Sequence, residues 1–429
     1  MQPSLDATYS ALILKMGGGA IQHGALAVAR TLGRCGVPVH AVVENAYSPL
    51  AKTRYLKKAF VWQRCPTDPE SFVKEMSSIA KSVTRPAIIF PISDLSAALV
   101  AENAARLAPP FLIPPVPPQL PRRLANKACL HELCTEIGIP DAVSVVPNSF
   151  DHVKAFADRA QFPLLVKAIE QWHPIRNMIC TRLARTCEQL FQLFENHDFD
   201  AVPRLMIQEY VPGDDWICHG YYNSQKNVSL SFTGRKLRSH PPDVGATAVG
   251  LSCDNEELRS ASEKLLKTVA YSGIIDMDWR RDDRDGQYKL VDCNPRVGQN
   301  FRMFENTAGI DVVRAQHLDL SGHAIQNAAP IDGRLFTVES SAVMAFFLGQ
   351  SQNAPRRVGR ESPQAKIREL AWWSSDDPVP FFLMILHLLV RVLGRASRSW
   401  RSLPAFLHSR MLRAFSSSRR ADRSSLNRP

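Results

Sequence analysis

Residues 274–302 read IIDMDWRRDDRDGQYKLVDCNPRVGQNFR. An apolar run ends at Asp278. About a dozen polar, turn-rich residues follow, Asp285-Gly286 among them, and a second apolar run from Tyr288 to Val291 leads into Asp292, Asn294 and Arg296 at every second position. Asp-Gly between two strand-like runs predicts a hairpin. Alternate residues of a strand share a face. Asp292, Asn294 and Arg296 are therefore expected to point into one site, with Asp278 reaching it from the neighbouring strand. Two carboxylates and an amide oxygen are hard ligands, suited to Mg²⁺ (or Mn²⁺) that also touches substrate phosphates. The planar fork of Arg296 suits phosphate oxygens beside them. The pattern predicts a nucleoside-triphosphate site without a Walker A loop.

Upstream, apolar strand-like runs at 11–15, 37–43 and 87–90 alternate with helix-like runs at 21–35 and 70–82. Alternation of this kind predicts a parallel, doubly wound first domain. Gly17 and Gly19 followed by Gln22 miss the third glycine of a dinucleotide-binding turn, so a plain tight turn is the better reading. Seven prolines between 109 and 121 forbid a helix or a central strand through them and read as a linker.

Asp278 with Asp292-Cys293-Asn294-Pro295-Arg296 resembles the metal-binding strand pair of the ATP-grasp enzymes, where the second acid is usually Glu. Asn126-Lys127, the strand FPLLVK ending at Lys167, the segment IQEYVPGDD from Ile207 to Asp215, and Thr233-Gly234-Arg235-Lys236 resemble further motifs of that family, in the family's order. The resemblance covers roughly residues 10–330 and points to carboxylate–amine ligases such as D-aspartate ligase and carbamoyl-phosphate-synthase-like proteins.

It implies an α/β chain: a doubly wound parallel-sheet (pre-ATP-grasp) domain at 8–118, then a two-part ATP-grasp α+β domain. The small part would be 119–204 and the large part, with the metal site, 205–330. A closing element at 331–377 and a basic amphipathic tail at 378–429 would follow. It implies ATP and Mg²⁺ as cofactors, and a small carboxylate and an amine as substrates, joined through an acyl phosphate. Lys127 and Lys167 would hold the α- and β-phosphates, Lys236 would reach the γ side, and Arg296 would stabilise the transferred group. Glu209, Tyr210 and Val211 would read adenine, and Asp215 the ribose. Asp278, Asp292 and Asn294 would hold the metal.

Ser93 and Asp94, and the group Arg238, His240, Gln299, Asn300 and Arg302, are expected on the acceptor side. Asp292 shortens one ligand by a methylene relative to Glu. The lid region 171–177 has no glycine, so Arg176 is expected to meet phosphates there, while His173 reads as surface. A nucleotide-binding protein without ligase activity, and a membrane-tethered scaffold, are the alternatives.

The chain has 429 residues, enough for two or three domains. Its nine cysteines form no C-x-x-C pair, which predicts free thiols in a reducing, cytoplasmic setting. Residues 391–429 hold ten arginines and one acid, so nine of the eleven net positive charges sit in the tail. An anionic membrane surface is the expected tail partner, nucleic acid is disfavoured, and a homodimer is a further expectation. The apolar run 381–393 is too short to span a bilayer. It reads either as a core or subunit-packing helix, or as a segment lying at the membrane interface.

Overall fold

The segment SALIL, Ser10–Leu14 (β1), is buried at every residue, as a strand covered on both faces should be. In a computed structural model that describes residues 3–17, 21–66, 68–83, 85–170, 181–200, 204–241, 245–341 and 365–401, β1 sits at the centre of a parallel sheet. Its neighbours are Val39–Val43 (β2) and Ala87–Pro91 (β4), with Leu56–Val61 (β3) and Phe111–Leu112 (β5) at the edges, in the order β3-β2-β1-β4-β5. This is the expected doubly wound sheet. Two elements were not expected. β3 carries exposed lysines at 57 and 58, which mask the apolar signal of an edge strand. β5 pairs with β4 inside the proline-rich stretch, and the helix Leu120–Ala125 follows with Pro121 in its first turn, a position where the missing N–H costs nothing.

A second sheet is small and antiparallel. It comprises Ser144–Val145 (β6), Leu164–Ala168 (β7), Thr181–Ala184 (β8) and Leu205–Glu209 (β9), ordered β6-β9-β7-β8. Val153, Phe156, Leu164, Val166, Leu190, Phe194 and Ile207 form a core of its own beneath it.

The third sheet has seven strands, ordered β14-β13-β10-β11-β12-β15-β16. They are Gly213–Asn223 (β10), Val228–His240 (β11), Ala246–Ser252 (β12), Ser272–Asp282 (β13), Tyr288–Asn294 (β14), Arg334–Thr337 (β15) and Ile367–Leu370 (β16). The β13–β14 hairpin is the one read from the sequence, but β13 continues to Asp282 rather than ending near Asp278. Trp279 and Asp282 are buried there, so polar residues that look like a turn are strand residues. One core joins this sheet to the first, bringing Ile13, Ala29, Phe90, Ile217, Tyr221, Val297, Phe304 and Trp372 together with Met384 of the C-terminal helix Val379–Arg401. The first and third sheets thus share their packing, while the small sheet faces them across a cleft.

Candidate functional site

The cleft between the small sheet and the seven-stranded sheet has a volume of about 400 Å³. All eleven residues expected at the site line it: Lys127, Lys167, Glu209, Tyr210, Val211, Asp215, Lys236, Asp278, Asp292, Asn294 and Arg296. Local structure explains the convergence. Lys127 is the first residue of the helix Lys127–Ile137, which Asn126 caps through bonds from the N–H groups of Ala128 and Cys129 and which Gly138 ends at φ +71°. The Lys127 N–H is bonded to the Ile169 carbonyl, which pins the helix start to the end of β7. Lys167 lies in β7, where its ammonium donates to Gln208 on β9 at 2.7 Å. On the opposite wall Asp278 pairs directly with Asp292 across the β13–β14 ladder, and Asp276 with Asn294. Directly paired residues present their side chains on one face.

The charges are already matched within the protein. Lys127 Nζ lies 2.6 Å from Asp292 Oδ1, and Lys236 Nζ 2.7 Å from Asp278 Oδ1. Burial alone would raise the Asp292 carboxyl, but Lys127 and Lys167 hold it below the usual range. For Asp278 burial wins, helped by Asp276 and Asp292 and opposed by Lys236, and its pKa is raised. Lys236 is shifted upward because Asp278 and Asp215 outweigh burial. Lys167 has no carboxylate partner this close. Burial, with Lys127 adding repulsion, lowers its pKa from 10.5 to about 8.

The oxygens of Asp278, Asp292 and Asn294 fit a hard divalent cation. The Asn294 amide nitrogen donates to the Asp276 carbonyl at 3.3 Å, which leaves its side-chain oxygen as acceptor. Among the described residues no three His, Cys, Asp or Glu side chains form a metal cluster on their own. The set is two carboxylates and an amide.

The segment expected to read the base and ribose is braced from behind. Arg280 lies over the Tyr210 ring at 4.6 Å, donates to the Gly213 carbonyl at 2.9 Å, and pairs with Asp215 at 3.2 Å. The Glu209 side chain is held by Arg284, and the Tyr210 N–H by the Pro163 carbonyl.

Sequence reasoning passed over Asp276. It stands two residues before Asp278, and the alternation that grouped Asp292 with Asn294 groups these two acids as well. Its carboxylate meets Arg296 Nη1 at 2.9 Å and lies 2.8 Å from His219 Nε2. Burial pushes the Asp276 carboxyl upward, but His219 and Arg296 override it and hold it well below the usual range. Gly298 permits this packing: a Cβ there would lie 2.3 Å from His219 Cε1 and 2.8 Å from Asp276 Cγ. Asp94, at the start of the helix Asp94–Glu102, reaches Arg296 Nε at 3.3 Å. Burial raises the pKa of Asp94 against the pull of Arg296. His23, Gln299 and Asn300 complete this end of the cleft.

Arg238 and His240 do not line the cleft. Arg302 is tied instead to Asp311 and Glu369, each at 3.2 Å. The expected lid, with His173 and Arg176, lies outside the described residues. Eight cysteines are described and all are free.

No protein-family model matches the chain. A D-aspartate ligase of Enterococcus faecium is 24% identical over 293 residues, which is 63% of this chain and 68% of the relative. Among solved structures, the biotin carboxylase domain of Hydrogenobacter thermophilus 2-oxoglutarate carboxylase, in complex with MgADP, ADP and bicarbonate, superposes with a TM-score of 0.57 at 17% identity. That match covers 75% of this chain and 71% of the other. An L-amino acid ligase from Bacillus licheniformis gives a TM-score of 0.55 at 14% identity, covering 75% of each chain. With the doubly wound sheet, the two facing sheets and the hairpin acids in place, these likenesses show that the chain shares the fold of these enzymes, and they agree with the resemblance to the ATP-grasp carboxylate–amine ligases carried by its motifs.

Proposed function

We propose that the protein is an ATP-dependent ligase that activates a small carboxylate as its acyl phosphate and passes the acyl group to an amine, releasing ADP and phosphate. The observation that carries this reading is the meeting of Lys127, Lys167, Lys236 and Arg296 with Asp278, Asp292 and Asn294 in one cleft. Phosphoryl transfer proceeds through a loose, highly charged transition state, so positioning and positive charge supply most of the catalysis.

Val211 on the braced hinge would read the adenine edge through its backbone, and Asp215 would accept from the ribose. Lys127 and Lys167 would hold the inner phosphates, with Lys236 near the γ-phosphate. Asp278, Asp292 and Asn294 would hold Mg²⁺, which when bound neutralises the phosphate charge. Binding must open the Lys127–Asp292 and Lys236–Asp278 pairs. The lysines would turn to phosphate and the acids to the cation, an exchange of partners that keeps buried charge compensated throughout.

Arg296, held by Asp94 and Asp276, is fixed in orientation to meet the group being transferred. The end of the cleft with His23, Gln299 and Asn300, beside Arg296, would take the carboxylate and the amine. A nucleophilic amine must be unprotonated when it attacks. The D-aspartate ligase relative makes amino acids the first candidates.

The test is ADP release on mixing the protein and Mg²⁺-ATP with pooled carboxylic acids, singly and with pooled amines. Release that depends on a carboxylate supports ligation. ATP binding without release in any pool supports a nucleotide-binding protein instead.

A further inference from the structure

The helix Val379–Arg401 presents two faces. Met384 and Leu388 are buried in the core shared by the first and third sheets, and Phe381 and Ile385 pack against it. This bears out the core reading for one face only. Val379, Phe382, Leu386 and Val390, spaced three or four residues apart, are each more than half exposed. Residues at that spacing form one stripe along a helix.

Aromatic residues extend the stripe. Trp373 is 40% exposed and meets Phe382 edge to face at 6.2 Å between centroids. Tyr47 is 74% exposed, takes a contact from His387 through its carbonyl, and has Lys52 over its ring at 5.7 Å. An apolar ridge bordered by Trp, Tyr and Lys matches the composition of a surface that sits at the headgroup level of a bilayer. Among the described residues no helix is long and apolar enough to cross a membrane.

We propose that this ridge docks on an anionic lipid surface, lying in the interface with Phe382, Leu386 and Val390 inserted among the acyl chains. Charge selects the occupant. From Arg391 onward the sequence carries ten arginines and one acid. A second copy of the chain would bring ten further arginines against these ten, like charge against like. Nucleic acid would satisfy the arginines but give Phe382 and Leu386 nothing to bury. Anionic headgroups over hydrocarbon satisfy both. This inference does not depend on the reaction catalysed.

Sedimentation of the full chain with phosphatidylcholine vesicles, with and without phosphatidylserine, tests it. Binding is expected only with phosphatidylserine, and it should weaken with salt because the attraction is screened. Phe382→Asp with Leu386→Asp, both at exposed positions, should lower vesicle binding at least about tenfold while leaving the melting temperature and ATP binding unchanged. Leu386→Ser should give a smaller loss in the same direction. The proposal is overturned if the double variant binds vesicles as the parent does, or if the parent ignores phosphatidylserine. It is equally overturned if light scattering finds a parent dimer that the double variant loses.

Discussion

Lys167 offers a sharp test of the site because its charge is held against its surroundings. Its pKa falls from 10.5 to about 8, through burial first and Lys127 second, a penalty against the ammonium of roughly 3 kcal/mol. At pH 8 it is therefore about half protonated. A bound polyphosphate compensates the charge and restores the ammonium, so nucleotide binding at pH 8 should take up close to half a proton, from the equilibrium alone. Calorimetric titration with ADP in two buffers of different ionisation enthalpy reads that number directly. Affinity should also decline as pH rises past 8.

The sign for stability is opposite. The cost of the buried charge is present in full below pH 8. It is relieved between pH 8 and 10.5, where the unfolded chain holds the proton and the folded one does not, so this group makes stability rise with pH in that window. Lys167→Met should remove the proton uptake, weaken nucleotide binding sharply and flatten the pH dependence of the melting temperature, while exposed Lys74→Ala changes none of these. Proton uptake by Lys167→Met equal to that of the parent would refute the placement of phosphates at β7.

The ion pairs of the site make four further claims. Asp292→Asn should free Lys127, so that ADP binds more tightly than to the parent when divalent cation is absent, while Mg²⁺-dependent turnover is lost; parallel calorimetry with and without Mg²⁺ checks this. Asp292→Ala should also lower stability by about 3 kcal/mol, because Lys127 is buried and left unpaired; denaturant titration reads it. Asp276→Asn should lower kcat with little change in ATP affinity, since Arg296 loses an anchor but the hinge and lysines are untouched, and steady-state kinetics separate the two effects. Arg280→Lys should instead raise the KM for ATP, because a point charge cannot hold the Tyr210 ring, the Gly213 carbonyl and Asp215 together.

Much of this site is legible from a period of two. Asp292, Asn294 and Arg296 fall at alternate positions, and the ladder that pairs Asp278 with Asp292 follows from the hairpin. The same period would have found Asp276, but an acid inside an apolar run reads as strand polarity until its partners are known. Of those partners, His219 lies on another strand far from it along the chain, and Arg296 meets it only once the hairpin has folded. Tertiary partners hide other roles as well. Lys226 looks like a lysine in a polar turn, yet it bonds at 2.7 Å to Asp319, a buried acid that also accepts from Tyr221 and Asn223. It is a structural lysine.

The hinge shows where sequence and structure diverge most. Sequence order marks Glu209, Tyr210, Val211 and Asp215, but not the two arginines that engage them. Arg280 and Arg284 come from the stretch that reads as a turn, and only the continuation of β13 to Asp282 brings Arg280 beneath Tyr210 and Asp215. The ladder places Asp215 opposite Arg280 and Ile217 opposite Asp278. Asp215, expected at the ribose, and the metal-facing hairpin are therefore on neighbouring strands of one sheet, held in register by backbone hydrogen bonds, while Glu209 ends β9 of the other sheet. Lys167 and Gln208 stand on the other sheet, which has its own core. A nucleotide bound in the cleft would touch both bodies, so its affinity would include whatever it costs to fix one against the other. Substitutions at Asp276 and Asp278, on the metal-facing part of β13, should then act on chemistry and metal binding, whereas Arg280, farther along the same strand, acts on affinity through the segment it braces. Substitutions at the β7–β9 side should act on affinity, which is the division that Asp276→Asn and Lys167→Met are chosen to expose.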